Sequence, residues 1–243
     1  MRSPKMLSNS INPLNSQVAV TAMTTLNAEK LTLKDVHRLL GFQKQPMGEY
    51  STLLSLEPLT TYEHQELLQI AHDFDNYLSA EKVLEGLVKV LTTFPLLRLA
   101  GFYRFPVELS LEEGIARIVI EDEDTFITGR FDILAINKTA LAGSQPFWIL
   151  LIESKNSSVD LSAGLPQLLA YAYTSLEYQT SVWGLATNGL NYQFVYLTQG
   201  TTPMYQLMPP LHLFETERAN QLLQVLKALC KLQISVSPDS AVA

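Results

Sequence analysis

The chain reads as an α/β protein, a mixed β-sheet flanked by helices, with an N-terminal helical extension. Three observations predict this. Apolar residues recur at helical spacing as far as about residue 95. From about residue 101 the texture changes to short alternating or β-branched runs separated by turn residues. Helical spacing then returns over Leu165–Leu176, between two strand-like segments, as in a crossover within one sheet.

The elements follow in order. Residues 1–25 are polar and rich in Ser, Asn and Thr, without the apolar stretch of a signal peptide, and read as a loose tail. Asn27 to Gly41 reads as a short helix carrying Leu31, Leu33, Val36, Leu39 and Leu40, with Gly41 as its stop. Residues 42–59, with Pro46, Gly48 and Pro58, form a connection. Thr60-Thr61-Tyr62-Glu63 matches a capping box and opens a helix with Leu67, Leu68, Ile70, Ala71 and Phe74. A second helix is expected from about Ser79, with Val83, Leu84, Leu87, Val88 and Leu91, ending before Pro95.

Strands are expected over Phe102–Leu111, Ile115–Ile120, Thr125–Asn137 and residues 147–155, with the acidic run Glu121–Asp124 as a solvated turn. After the Leu165–Leu176 helix come strands at Ser181–Ala186 and Tyr192–Leu197 about an Asn188-Gly189 turn, then a short edge strand at Met204–Met208. Phe214–Leu232 closes the chain as an amphipathic helix, suited to covering the core or to a homodimer contact. The expected division is a tail over 1–25, a helical extension over 26–78 and an α/β domain over 79–243.

Composition narrows the class. The 243 residues are 47% hydrophobic, enough for a substantial core. A net charge of −7 argues against non-specific grip on a phosphate backbone as the dominant behaviour. The single Cys230 excludes an intramolecular disulfide and suits a reducing cytoplasm. No apolar run is long enough to span a membrane.

Chemistry concentrates at one place. Phe147-Trp148-Ile149-Leu150-Leu151-Ile152 leads directly into Glu153-Ser154-Lys155. Unpaired buried charge costs several kcal/mol, so an apolar strand ending in an acid and a base needs a reason. Residues two apart share a strand face, which puts Glu153 and Lys155 together, with Phe147, Ile149 and Leu151 on the same side. Of the ten lysines only Lys155 has an acid two residues before it. Asp132 lies on the preceding strand candidate, sharing a face with Arg130, Leu134 and Ile136. If those strands are neighbours the two carboxylates converge, and with a backbone carbonyl they make an oxygen-rich site for Mg²⁺ or Mn²⁺. A structural ion pair between Glu153 and Arg130 would explain the buried acid equally well. Gln167 and Tyr171 are four apart on the crossover helix, while Leu165, Leu168, Leu169, Ala172 and Leu176 cover its core side. Taken alone, Gln167 and Tyr171 read as surface residues.

Taken together, Asp132, Glu153-Ser154-Lys155 and Gln167-Leu168-Leu169-Ala170-Tyr171 resemble the PD-(D/E)xK nuclease superfamily and its restriction-endonuclease-like fold. The nearest branch is that of the N-terminal nuclease domain of type I restriction R subunits, where a glycine precedes the first acid as Gly129 does. The strand and hairpin after the helix fit it too, and the likeness covers roughly residues 79–200. Phe131 stands where the superfamily often has proline. The resemblance implies Asp132, Glu153, Lys155, Gln167 and Tyr171 as catalytic residues. It implies Asp132 and Glu153 as metal ligands, with a further acid on the first core helix, Glu81 in preference to Glu85.

Other signals fall away. Ser79-Ala80-Glu81-Lys82 lacks the partner motifs of a serine hydrolase. The four histidines have no metal spacing, and no Gly-x-x-x-x-Gly-Lys-Ser/Thr occurs. The expected function is a Mg²⁺-dependent nuclease hydrolysing phosphodiester bonds in DNA, with RNA open on the same chemistry. The alternative is a non-catalytic nucleic-acid-binding or assembly module that keeps the fold. Residues 101–171 favour the alternative: ten acids against five bases leave −5, which repels phosphate unless a metal offsets it.

Overall fold

In a computed structural model, an eight-stranded mixed sheet carries helices on both faces. Residues 24–115, 117–120, 123–142 and 145–232 are described. The expected tail lies outside them except for its last two residues, as do residues 233–243 of the expected 79–243 domain. In chain order come β1 (Thr24–Asn27), α1 (Leu33–Leu40), β2 (Gln43–Lys44), α2 (Tyr50–Leu53) and α3 (Thr61–Ala80). Next are α4 (Glu85–Val88), a π segment (Lys89–Thr93) and α5 (Phe94–Ala100) in one continuous run. Strands β3 (Val107–Leu111), β4 (Ile118–Ile120), β5 (Thr125–Thr128), β6 (Ile133–Ala142) and β7 (Gln145–Ser154) follow. Helix α6 (Leu165–Ser175) leads to β8 (Ser181–Thr187), β9 (Asn191–Thr198), β10 (Met204–Leu207) and β11 (Leu211–His212), and α7 (Thr216–Leu232) closes the described chain.

The large sheet runs β2-β10-β9-β8-β7-β6-β3, with β11 also on β9. Strands β7 and β8 are parallel, because α6 returns the chain between them. Strands β1, β5 and β4 form a separate small sheet. On one face of the large sheet, Ile133, Leu150, Ile152, Leu185 and Phe194 pack against α3, α5 and α7. On the other, Leu134, Leu151, Val182 and Val195 pack against α6, α1 and the small sheet. Residues 26–78, expected as a helical extension, enter both layers: α1 gives Val36 and Leu40 to one, α3 gives Leu67, Ile70 and Phe74 to the other. In α7, Leu222, Leu223, Val225, Leu226 and Leu229 are all buried in this core.

Local signals hold at the helix ends. Thr60 and Glu63 form the expected capping box. Gly41 ends α1 in the left-handed region at φ 70°.

Four expectations are corrected. The second helix starts at Glu85, not near Ser79: α3 runs on to Ala80, and Val83 donates its N–H to the Ser157 hydroxyl and accepts from the Ser157 N–H instead of joining a helix. That helix also passes Pro95, which has no N–H to donate; the turn before it widens, and Phe94 N–H bonds the Lys89 carbonyl five residues back. The strand expected over Thr125–Asn137 breaks at Gly129–Asp132 and divides between the two sheets. Finally, Ile149 is not on the Glu153 face. Ala135 pairs Leu150 while Ile136 pairs Trp148, so Ile149 is an extra bulged residue. The bulge sends Ile149 to the α3–α7 face and leaves Leu151 with Glu153 on the α6 face.

Candidate active site

The sheet register brings the sequence-predicted acids together. Ile133 pairs Ile152, and one further step sets Asp132 across from Glu153, at the bend that opens β6 and near the carboxyl end of β7. Ser154 N–H donates to Asp132 Oδ2 at 2.7 Å, which fixes the carboxylate against β7. Glu153 is 1% exposed. Its ion pair is with Lys155, Nζ to Oε1 at 2.6 Å, and not with Arg130, whose side chain faces solvent.

The two helix residues continue this chain of bonds. Lys155 Nζ donates to Gln167 Oε1 at 3.0 Å, and Gln167 Nε2 donates to Tyr171 Oη at 2.9 Å. Arg130 N–H donates to the same phenol at 3.1 Å. Gln167 and Tyr171, read alone as surface residues, are buried, because the start of α6 lies directly over the end of β7. Gly129 makes this possible: a Cβ there would sit 2.6 Å from the Tyr171 ring and hydroxyl.

Asp132, Glu153, Lys155 and Gln167 line a cavity of about 460 Å³. Its wall carries Glu29, Glu85, Glu112, Asp132 and Glu153 against Lys89, Arg130 and Lys155. Glu81 does not reach it. It caps the C-terminal end of α3 and is exposed, while Glu85, in the first turn of α4, faces the site. Lys89 is the residue that sequence reasoning missed. Its Nζ lies 3.1 Å from Asp132 Oδ1 and 3.4 Å from Glu85 Oε1. The only local signal was its four-residue spacing from Glu85, masked by the wrong helix start.

No family model matches the chain, and no curated protein is similar to it. Among solved structures, a fragment from Vibrio vulnificus YJ016, assigned as an HsdR subunit of a type I restriction enzyme, is similar at TM-score 0.36 and 17% identity. The match covers 58% of this chain and 26% of that one, so the chain spans about a quarter of that structure. So slight a likeness says nothing of activity.

The site's electrostatics are those of buried charge. Burial and the neighbouring Asp132 push the Glu153 carboxyl up to about 8, against the opposing pull of Lys155. Burial disfavours the Lys155 ammonium, but Glu153 outweighs it and holds the group above its ordinary value. Lys89 is likewise held up, by Asp132 and Glu85 against burial. Burial lifts the Tyr171 phenol to about 12.

Among the described residues no three Asp, Glu, His or Cys side chains gather closely enough to hold a metal ion unaided. Mg²⁺ needs fewer, since it keeps several waters and takes one or two carboxylates together with substrate phosphate. Glu153 Oε2 fits that need, being buried with no hydrogen-bond partner. A divalent cation is the natural complement to such an oxygen beside a second carboxylate.

Proposed function

We propose that this protein is a metal-dependent nuclease of the PD-(D/E)xK type that hydrolyses phosphodiester bonds in DNA. One observation carries the reading: the hydrogen-bonded chain Tyr171–Gln167–Lys155–Glu153 ends on a buried, partnerless carboxylate oxygen, with Asp132 opposite. Asp132 and Glu153 would hold Mg²⁺ or Mn²⁺, with Glu85 rather than Glu81 as the helix acid. A divalent ion there supplies Lewis acidity and lowers the pKa of bound water. Lys155, steered by Glu153 and Gln167, presents an ammonium to charge that develops on the phosphate. Tyr171 and Gln167 are positioning residues that hold Lys155 in place.

The second reading, a nucleic-acid-binding or assembly module without chemistry, is favoured by the five carboxylates around the cavity. Cleavage of plasmid and linear DNA with Mg²⁺ or Mn²⁺ decides between them. Wild type is expected to cut, and Asp132→Ala and Lys155→Ala to lose at least about a hundredfold in rate. Equal cleavage by the variants would sink the assignment; binding of DNA without cleavage by wild type would select the second reading.

A further inference from the structure

We propose that Lys89 is a built-in second cation of this site, so that the site accepts one divalent ion and not two. The inference rests on the metal-site reading above and adds the ion count. The Lys89 ammonium stands among three carboxylates from three separate segments: Asp132 at 3.1 Å, Glu85 at 3.4 Å and Glu112 at 3.6 Å. Its side chain is only 12% exposed. Two-metal phosphoryl-transfer sites hold their ions about 3.5–4 Å apart and share carboxylates between them. Here the oxygens on one side of Asp132 are already gathered around nitrogen.

The other side is different. Asp132 Oδ2 accepts from Ser154 N–H, Glu153 Oε1 accepts from Lys155, and Glu153 Oε2 is buried with no partner. One cationic position is therefore filled and one is open. Charge counts the same way. With every acid ionised, as a bound divalent ion would require, Glu29, Glu85, Glu112, Asp132 and Glu153 bring −5, and Lys89, Arg130 and Lys155 bring +3. The remaining −2 equals one divalent ion. Without Lys89 it would be −3, and Asp132, Glu85 and Glu112 would be left without the cation they share.

Mn²⁺ titration followed by calorimetry, with free ion counted by electron paramagnetic resonance, reads this without any turnover. Wild type is expected to bind one ion. Lys89→Met is expected to bind two, or one at least about tenfold more tightly, from the loss of a fixed positive charge within a few ångströms. Lys89→Arg, which keeps the charge, is expected to bind one as wild type does. One ion bound with equal affinity by wild type and Lys89→Met would overturn the inference alone, and so would two ions in wild type, which needs no variant to fold. Mn²⁺ bound by neither protein would overturn the metal-site reading and this inference with it. Mn²⁺ bound only by Lys89→Met would overturn the one-ion count, since wild type would then accept none.

Discussion

At the scale of the residue, Glu153 sets a pH dependence whose sign follows from its surroundings. Its carboxyl rises from an ordinary 4.5 to about 8, chiefly through burial. The folded state therefore binds a proton that the unfolded chain releases, and stability falls as pH rises from about 4.5 to about 8. The loss is on the order of 5 kcal/mol across that window. Lys155 adds no slope there, since its own value is held above the ordinary lysine range. Thermal melting at stepped pH without divalent ions should show the decline, and Glu153→Gln should flatten it. An equally steep decline in Glu153→Gln would mean another group is responsible. Asp132, Glu153 and Lys155 were legible in the sequence because strand periodicity and an apolar run expose a misplaced charge. Lys89 was not, because the acids that define it, Glu112 and Asp132, are far along the chain and meet it only once the sheet has formed.

At the scale of the element, irregularities do the aiming. The bulge at Ile149 was invisible to an alternation count, since it shows only against β6 as partner. The π segment Lys89–Thr93 was hidden by the ordinary expectation that proline ends a helix. This widened turn is in effect one extra residue, and it sets the rotation of Glu85 and Lys89 relative to α5. Deleting the exposed Val90 should let the segment close into plain α-helix and turn Glu85 by about 100° about the axis. Far-UV circular dichroism should then change little while Mn²⁺ affinity drops. Unchanged affinity would show that the π turn does not place these residues. Helix α6 was read to within a residue, yet the burial of Gln167 and Tyr171 was not, because polar side chains facing a sheet look in sequence like polar side chains facing water.

At the scale of the whole molecule, charge limits how DNA could be held. A chain at −7 with an acid-lined cavity has little to release counterions with. DNA binding is therefore expected to require a divalent ion and to show a shallow dependence on salt, with a log–log slope below about 2. A steep slope measured by fluorescence anisotropy in EDTA would contradict this. Among the described residues no helix is long and apolar enough to cross a membrane. The mixed sheet itself was legible, because a helical run between strand runs allows few topologies. The roles of β1 and β2 were not, since Thr24–Asn27 and Gln43–Lys44 become strands only through partners remote in sequence. That remoteness bears on synthesis. Strand β1 lies parallel to β5, at mid-chain, and β2 parallel to β10, near its end, so these early segments must wait for partners made much later. During translation β2 has no strand to join until β10 has left the ribosome, so that slow, long-range pairing falls late in synthesis.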